Sequence, residues 1–185
     1  MDSRNEPWYV HVILGVVIAI LVLVLVKVAI IDPSDVLEKE NYYKTESRMR
    51  MDNIRQAEIL WQKKYKKYTD NLDSLINFVK SDESVAAVVA GIDTITHKST
   101  NPFNNLTTGI FSADSLFTSP KTSSRYILQV DTTVQPDSII NARGKLIKVD
   151  TLITIGTRYY IEGPDGYGSI GDVNSDAKKN TASWE

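Results

Sequence analysis

The sequence predicts an α+β protein, in which an N-terminal transmembrane helix continues into a long amphipathic helix packed on a small antiparallel β-sheet. Three observations predict it. Val12–Ile31 is an almost unbroken apolar run, and Ser34–Tyr68 is charged, rich in helix formers and free of Gly and Pro. Beyond Ser84, β-branched and alternating stretches separated by turn residues take over.

The apolar run comes first. About twenty residues at ~1.5 Å rise match the ~30 Å hydrocarbon core of a bilayer. A cleaved signal peptide has a basic start, a shorter apolar core and a small-residue cleavage site. Here the run stays Leu/Val-rich until Ile31-Asp32-Pro33, which reads as a permanent anchor. Lys27, about one turn from the end, lifts its ammonium to the interface, and His11 joins Trp8 and Tyr9 in an aromatic belt at the other side. The expected layout is a cytoplasmic tail over 1–7, a transmembrane helix over 8–31 and a periplasmic domain over 32–185, anchored by a single pass in a bacterial inner membrane. Lys39, Lys44, Arg48 and Arg50 follow the anchor and by count favour a cytoplasmic C-terminus. Acids are interleaved with these bases, and a short tail before one anchor is the layout of an exported domain.

The residues after the anchor, roughly 150, suffice for one compact domain. A net charge of −2 over 185 residues, with bases dispersed among acids, provides no basic field for nucleic acid. The chain has no cysteine and only two histidines, His11 and His97. Disulfide scaffolds, thiolate nucleophiles, multi-histidine metal sites and the common catalytic triads are thereby excluded.

In chain order, the spacing predicts a long helix over 34–68, with Asp32 as N-cap and Pro33 in its first turn. Tyr43, Ile54, Ala57, Trp61, Tyr65 and Tyr68 gather on one side at ~100° per residue, a seam toward the helix's own domain. Leu72, Leu75, Ile76 and Val79 follow the i, i+3, i+4, i+7 pattern of a short helix over 71–80. Strands are predicted within 84–172, at Val85–Val89, Ile92–Thr96, Tyr126–Val134, Leu146–Ile155 and Arg158–Glu162. Ser99–Ser124, with Asn101-Pro102 and Ser119-Pro120, reads as a long loop containing a short element. Gly163-Pro164-Asp165-Gly166-Tyr167-Gly168-Ser169-Ile170-Gly171-Asp172 leads into the tail 173–185. Such a run makes either two consecutive turns or an oxygen-lined loop around a hard cation such as calcium, which needs no histidine or cysteine.

Three segments resemble the major pseudopilins of type II secretion systems. Asp52 to Glu58 through Tyr65, Tyr68-Thr69 and Leu72–Leu75 resembles the family's helix end and leucine-bearing short helix. Gly163-Pro164-Asp165-Gly166, Gly168, Gly171, Asp176 and Trp184 are similar to its calcium loop and terminal tryptophan. Glu6 followed by Val12-Ile13-Leu14-Gly15 is similar in spacing to the glutamate and apolar run of the pilin N-terminus. The resemblance covers about half the chain and implies a pilin-like fold, calcium held by Asp165, Asp172 and Asp176, and assembly through Glu6, Trp61, Tyr65 and Trp184. The chain opens Met1-Asp2-Ser3-Arg4-Asn5-Glu6-Pro7, without the basic leader and the Gly-Phe-Thr-Leu pattern of a prepilin. It also resembles a group of single-pass envelope proteins of Bacteroidota that share Leu-Ile-Asn-Phe-Val-Lys at 75–80 and the terminal Trp-Glu. Asp-Ser/Thr-x tripeptides at Asp73, Asp93, Asp114, Asp131, Asp137 and Asp150 look like the O-glycosylation signal of that phylum.

Two functions follow as expectations. One is a structural subunit of a type II secretion or type IV pilus-like envelope assembly, with other protein subunits of an inner-membrane complex or further copies of itself as partners. There Glu6 either pairs with a neighbour's positive N-terminal region or stands as a headgroup-level charge. The other is a membrane-anchored accessory whose sheet edge or 99–124 loop holds a partner protein, which the missing leader favours. No carboxylate pair stands in a recognisable acid/base context, so neither an enzyme nor a small-molecule substrate is expected.

Overall fold

The computed structural model describes residues 7–107, 109–140 and 146–185. The chain divides into two compact units, Met1–Tyr43 and Lys44–Glu185. Glu6 lies outside the described residues.

The first unit is helical. Helix α1, Trp8–Val26, buries none of its side chains. It is the part of the one helical stretch, among the described residues, that is apolar and long enough to cross a membrane. A π-helical turn follows at Lys27–Ile31, and helix α2, Asp32–Tyr65, begins directly after it. Asp32 is therefore not the isolated N-cap that its neighbour Pro33 implied. Pro33 has no N–H to return to the carbonyl of Ala29, and a widened π turn absorbs such a defect without ending the helix.

In the second unit, the part of α2 beyond Lys44 buries Met51, Ile54 and Ala57. Helix α3, Leu72–Ser81, brings Leu75 and Ile76 into the same core, from the apolar spacing read in the sequence, and Asn71 caps it by accepting from the Ser74 amide. The sheet supplies Leu128, Tyr159, Ile161 and Ile170. It is antiparallel, in the order β1 (Ile127–Ile140), β2 (Leu146–Glu162), β3 (Ser169–Gly171). Leu128 pairs with Ile161 and Val130 with Tyr159, so one face of the ladder carries the core row.

The strands expected at Val85–Val89 and Ile92–Thr96 do not form. Glu83–Ala90 is a helix, α4, in which only Val85 is buried. Asp82 caps it through the Ser84 amide, Glu83 stands at its positive end, and three alanines favour the helix over an unpaired strand. At Asp93 one side-chain oxygen accepts from the amides of Ile95 and Thr96, which curls the chain into a turn. Only Ile92 keeps a strand-like pairing, a single bridge to Ser99.

The two strands expected at Leu146–Ile155 and Arg158–Glu162 are one strand with a local irregularity. Val130 pairs with Tyr159 and Thr132 with Ile155, leaving Asp131 opposite three residues, Gly156 to Arg158. Gly156 has φ +75°, and its carbonyl accepts from the Tyr68 amide at 2.8 Å. A Cβ there would stand 2.6 Å from the Tyr68 carbonyl oxygen, so glycine is required. Asp131 closes the bulge, buried and accepting from the Arg158 amide, the Arg158 side chain and the Thr157 hydroxyl.

Candidate functional site

Among its described residues the 99–124 segment is irregular, as expected, with a 3-10 turn at Ala113–Leu116. It is fastened to α2 by polar side chains on the buried face of that helix. Glu46, fully buried, accepts from the Thr107 amide at 2.9 Å and from its hydroxyl. Arg50 pairs with Glu46 at 3.1 Å and donates to the Thr118 carbonyl at 2.7 Å. The Asn53 amide both donates to and accepts from the Asn104 backbone, at 2.9 and 2.7 Å. The buried Glu46 and Asn53 thereby meet their hydrogen-bonding needs, and the loop backbone they bind finds partners in return. Sequence reading missed these anchors because a Glu, an Arg or an Asn on a charged helix has the same letters whether solvated or clamped.

The tail is held in the same manner. Arg48 donates to the Tyr167 carbonyl at 3.1 Å, and its guanidinium stands 4.9 Å from the centroid of the Trp184 ring. Gly168, φ +126°, also lies against Trp184, where a Cβ would meet the ring at 2.6 Å. Arg55 donates to the Asn180 carbonyl at 3.0 Å and pairs with Asp52 and Glu185. Trp184, predicted as an assembly residue, is thus half-buried in its own chain.

The carboxylates assigned to calcium engage separate partners. Asp165 accepts from the Ser119 and Thr122 hydroxyls, Asp172 from the Asn174 amide, and Asp176 lies 3.8 Å from Arg158. Among the described residues no three carboxylate or imidazole groups converge where one ion could sit. As placed, the three aspartates do not form a shared calcium cage; Asp172 caps a local turn, while Asp165 and Asp176 engage side chains far along the chain.

Trp61 and Tyr65 form an aromatic cluster with Phe78 of α3. Trp61 lies 4.4 Å from Tyr65 and 5.2 Å from Phe78, the latter edge-on. Trp61 is half-buried and Tyr65 exposed. The expected burial of Trp61 between long helix and sheet is thus corrected, because α3 takes that face of α2. Tyr68, just past the helix, does reach the sheet and packs on Tyr159 at 4.6 Å.

Close to Tyr68 and Tyr159 lies Glu58, a carboxylate with no exposed surface. One oxygen accepts from the Thr69 amide at 3.2 Å and the other has no partner. Burial disfavours its charge and pushes its pKa up to about 8, with the Asp70 carboxylate adding to the rise against the Thr69 hydrogen bond. Burial likewise pushes the Tyr126 hydroxyl, which contacts Ser47 at 3.1 Å, up to about 12.

These features define an α+β protein with one long apolar N-terminal helix and a small three-stranded antiparallel sheet, consistent with a single membrane anchor. Compared with known proteins, the chain matches no family model, no curated protein and no solved structure.

Proposed function

We propose that the protein is a structural, pseudopilin-like subunit of a type II secretion or type IV pilus-like assembly, anchored in the inner membrane with residues 34–185 in the periplasm. The observation that carries this reading is the order of parts. An exposed apolar helix is followed by a helix whose inner face seats a short helix, an antiparallel sheet and a Gly/Asp-rich C-terminal loop. Its action is mechanical: apolar helices pack laterally in the bilayer, where van der Waals contact and paired polar groups hold them. No step of bond chemistry is assigned. The test is cross-linking in intact membranes followed by purification in mild detergent. Recovery of envelope-assembly subunits, or of ordered multimers of the chain, supports the proposal; a monomer at every cross-linker concentration refutes it.

A second reading, an anchored accessory that holds a partner protein, is favoured by one observation. Ile92, Ile95 and Ile110, on the segments joining α4 to β1, are 67, 87 and 90 % exposed. Side chains of this size exposed on loops suit a contact surface. Changing all three to Ser separates the readings, because an accessory loses its partner and a filament-like subunit keeps its multimers.

A further inference from the structure

A cleft of about 550 Å³ opens on the face of the sheet opposite the core. Its floor is one cross-strand row. Gln129 pairs with Tyr160, and Tyr160 with Gly171. Tyr159 and Ile161 point into the core, so Tyr160 between them rises on the other face, where Gly171 puts no side chain beside it. The tail makes the wall, with Asp172, Asn174 and Lys178 on one stretch and Thr181 and Ser183 on its return. The tail is set there by backbone bonds from Gly171 to Thr181 and from Ser183 to Ser169, at 3.0 and 2.8 Å.

The polar groups around this space are unspent. Among the described residues, the side-chain carboxamides of Gln129 and Asn174, the Tyr160 hydroxyl and the Lys178 ammonium have no hydrogen-bond or ionic partner within the chain. Asp172 uses one oxygen, for the Asn174 backbone amide, and the Ser183 hydroxyl accepts from the Ser169 backbone amide while its own proton stays available. The volume lies within the range of small-ligand sites.

We propose that this cleft binds a neutral oligosaccharide. Sugar hydroxyls are donors and acceptors at once, and so are the amides and hydroxyls here. The aromatic ring offers an apolar face to the C–H side of a pyranose. One ammonium and one carboxylate cancel, so the site selects neither an anion nor a cation. A purely apolar ligand would bury the amides without partners, which is costly. A peptide adding a strand would need the free edge of β3, and the tail already holds it through the Ile170–Ala182 bridge. This site is independent of the assembly role above.

The test uses the full chain in lipid nanodiscs, since sugar-headed detergents would compete. Saturation-transfer NMR is recorded with N-acetylchitotetraose, cellotetraose, tetragalacturonate and an unstructured Ser/Thr-rich decapeptide. The expected result is transfer to the ring C–H protons of at least one neutral tetrasaccharide. Tyr160→Ala should weaken that binding about tenfold, the scale of one lost aromatic contact. Gln129→Ala and Asn174→Ala change exposed side chains and carry the test should Tyr160→Ala fail to fold. Transfer to neither neutral sugar, to tetragalacturonate alone or to the peptide alone overturns the proposal, as does binding that none of the three substitutions weakens.

Discussion

Replacing Glu58 by Gln should stabilise the Lys44–Glu185 unit at neutral and alkaline pH and remove a pH dependence that the wild type carries. The folded-state pKa of Glu58 stands near 8 against an ordinary 4.5. The folded protein therefore binds this proton more tightly than the unfolded chain does. Below pH ~4.5 both states are protonated and the group is neutral to stability. As pH rises toward 8 only the unfolded state releases the proton, so stability falls with pH across that window and levels off above it. With 1.36 kcal/mol per pKa unit, the fall reaches about 4–5 kcal/mol as an upper bound, less whatever solvent penetration relieves. Gln keeps an oxygen for the Thr69 amide, matches the shape and carries no titrating proton. The assay is urea unfolding of residues 34–185 at half-unit steps from pH 5 to 9, taken as the difference between wild type and Glu58→Gln. That difference cancels the titration of the other carboxylates. The variant should gain steadily over wild type with rising pH, by a few kcal/mol in all. A difference that stays flat from pH 5 to 9 refutes the reasoning and means that Glu58 ionises in contact with water.

Four other outcomes are expected. Arg48→Ala removes a charged hydrogen bond and the cation over Trp184, costing about 2–3 kcal/mol and speeding amide exchange over 180–185; unchanged exchange there would disprove the clamp. Trp61→Ala should cost about 2–3 kcal/mol, below the 3–5 of a fully buried aromatic, because the ring is half-buried against Phe78; an unmoved melting temperature would show that the cluster adds nothing to the fold. Excess calcium should leave the melt of residues 34–185 where chelator leaves it, since the three aspartates are apart; a stabilisation near 2.7 kcal/mol, the value for saturation at a hundredfold Kd, would reveal a rearranged calcium loop. Ser123→Cys, at an exposed position, should react with a membrane-impermeant maleimide in intact spheroplasts; labelling only after lysis would reverse the proposed orientation.

What the sequence determined by itself is what depends on short-range pattern. An apolar run from Val12 to Ile31, broken only by Lys27 near its end, makes an anchor-length helix whatever else the chain does, and Leu72, Leu75, Ile76 and Val79 make a one-sided helix in any context that offers a core. The β-branched stretches around 126–134 and 146–162 likewise needed no partner to be recognised as strands. Val85–Val89 failed the same reading because a run of Val and Ala is compatible with both periods, and the Asp82 cap with the alanines settled it as a helix. Tertiary structure alone decided the long-range polar fixings. Glu46 and Asn53 reach 51 to 61 residues along the chain to hold the 99–124 segment, and Arg48 and Arg55 reach more than a hundred to hold the tail. It decided, too, that the aspartates of the C-terminal loop engage separate partners and that Gln129, Tyr160 and the tail line a cleft. The physical reason is common to all of these. A helix or a strand is specified by neighbours a few residues apart, whereas a carboxylate, a guanidinium or a tyrosine acquires its role from whatever backbone the fold brings within 3 Å of it.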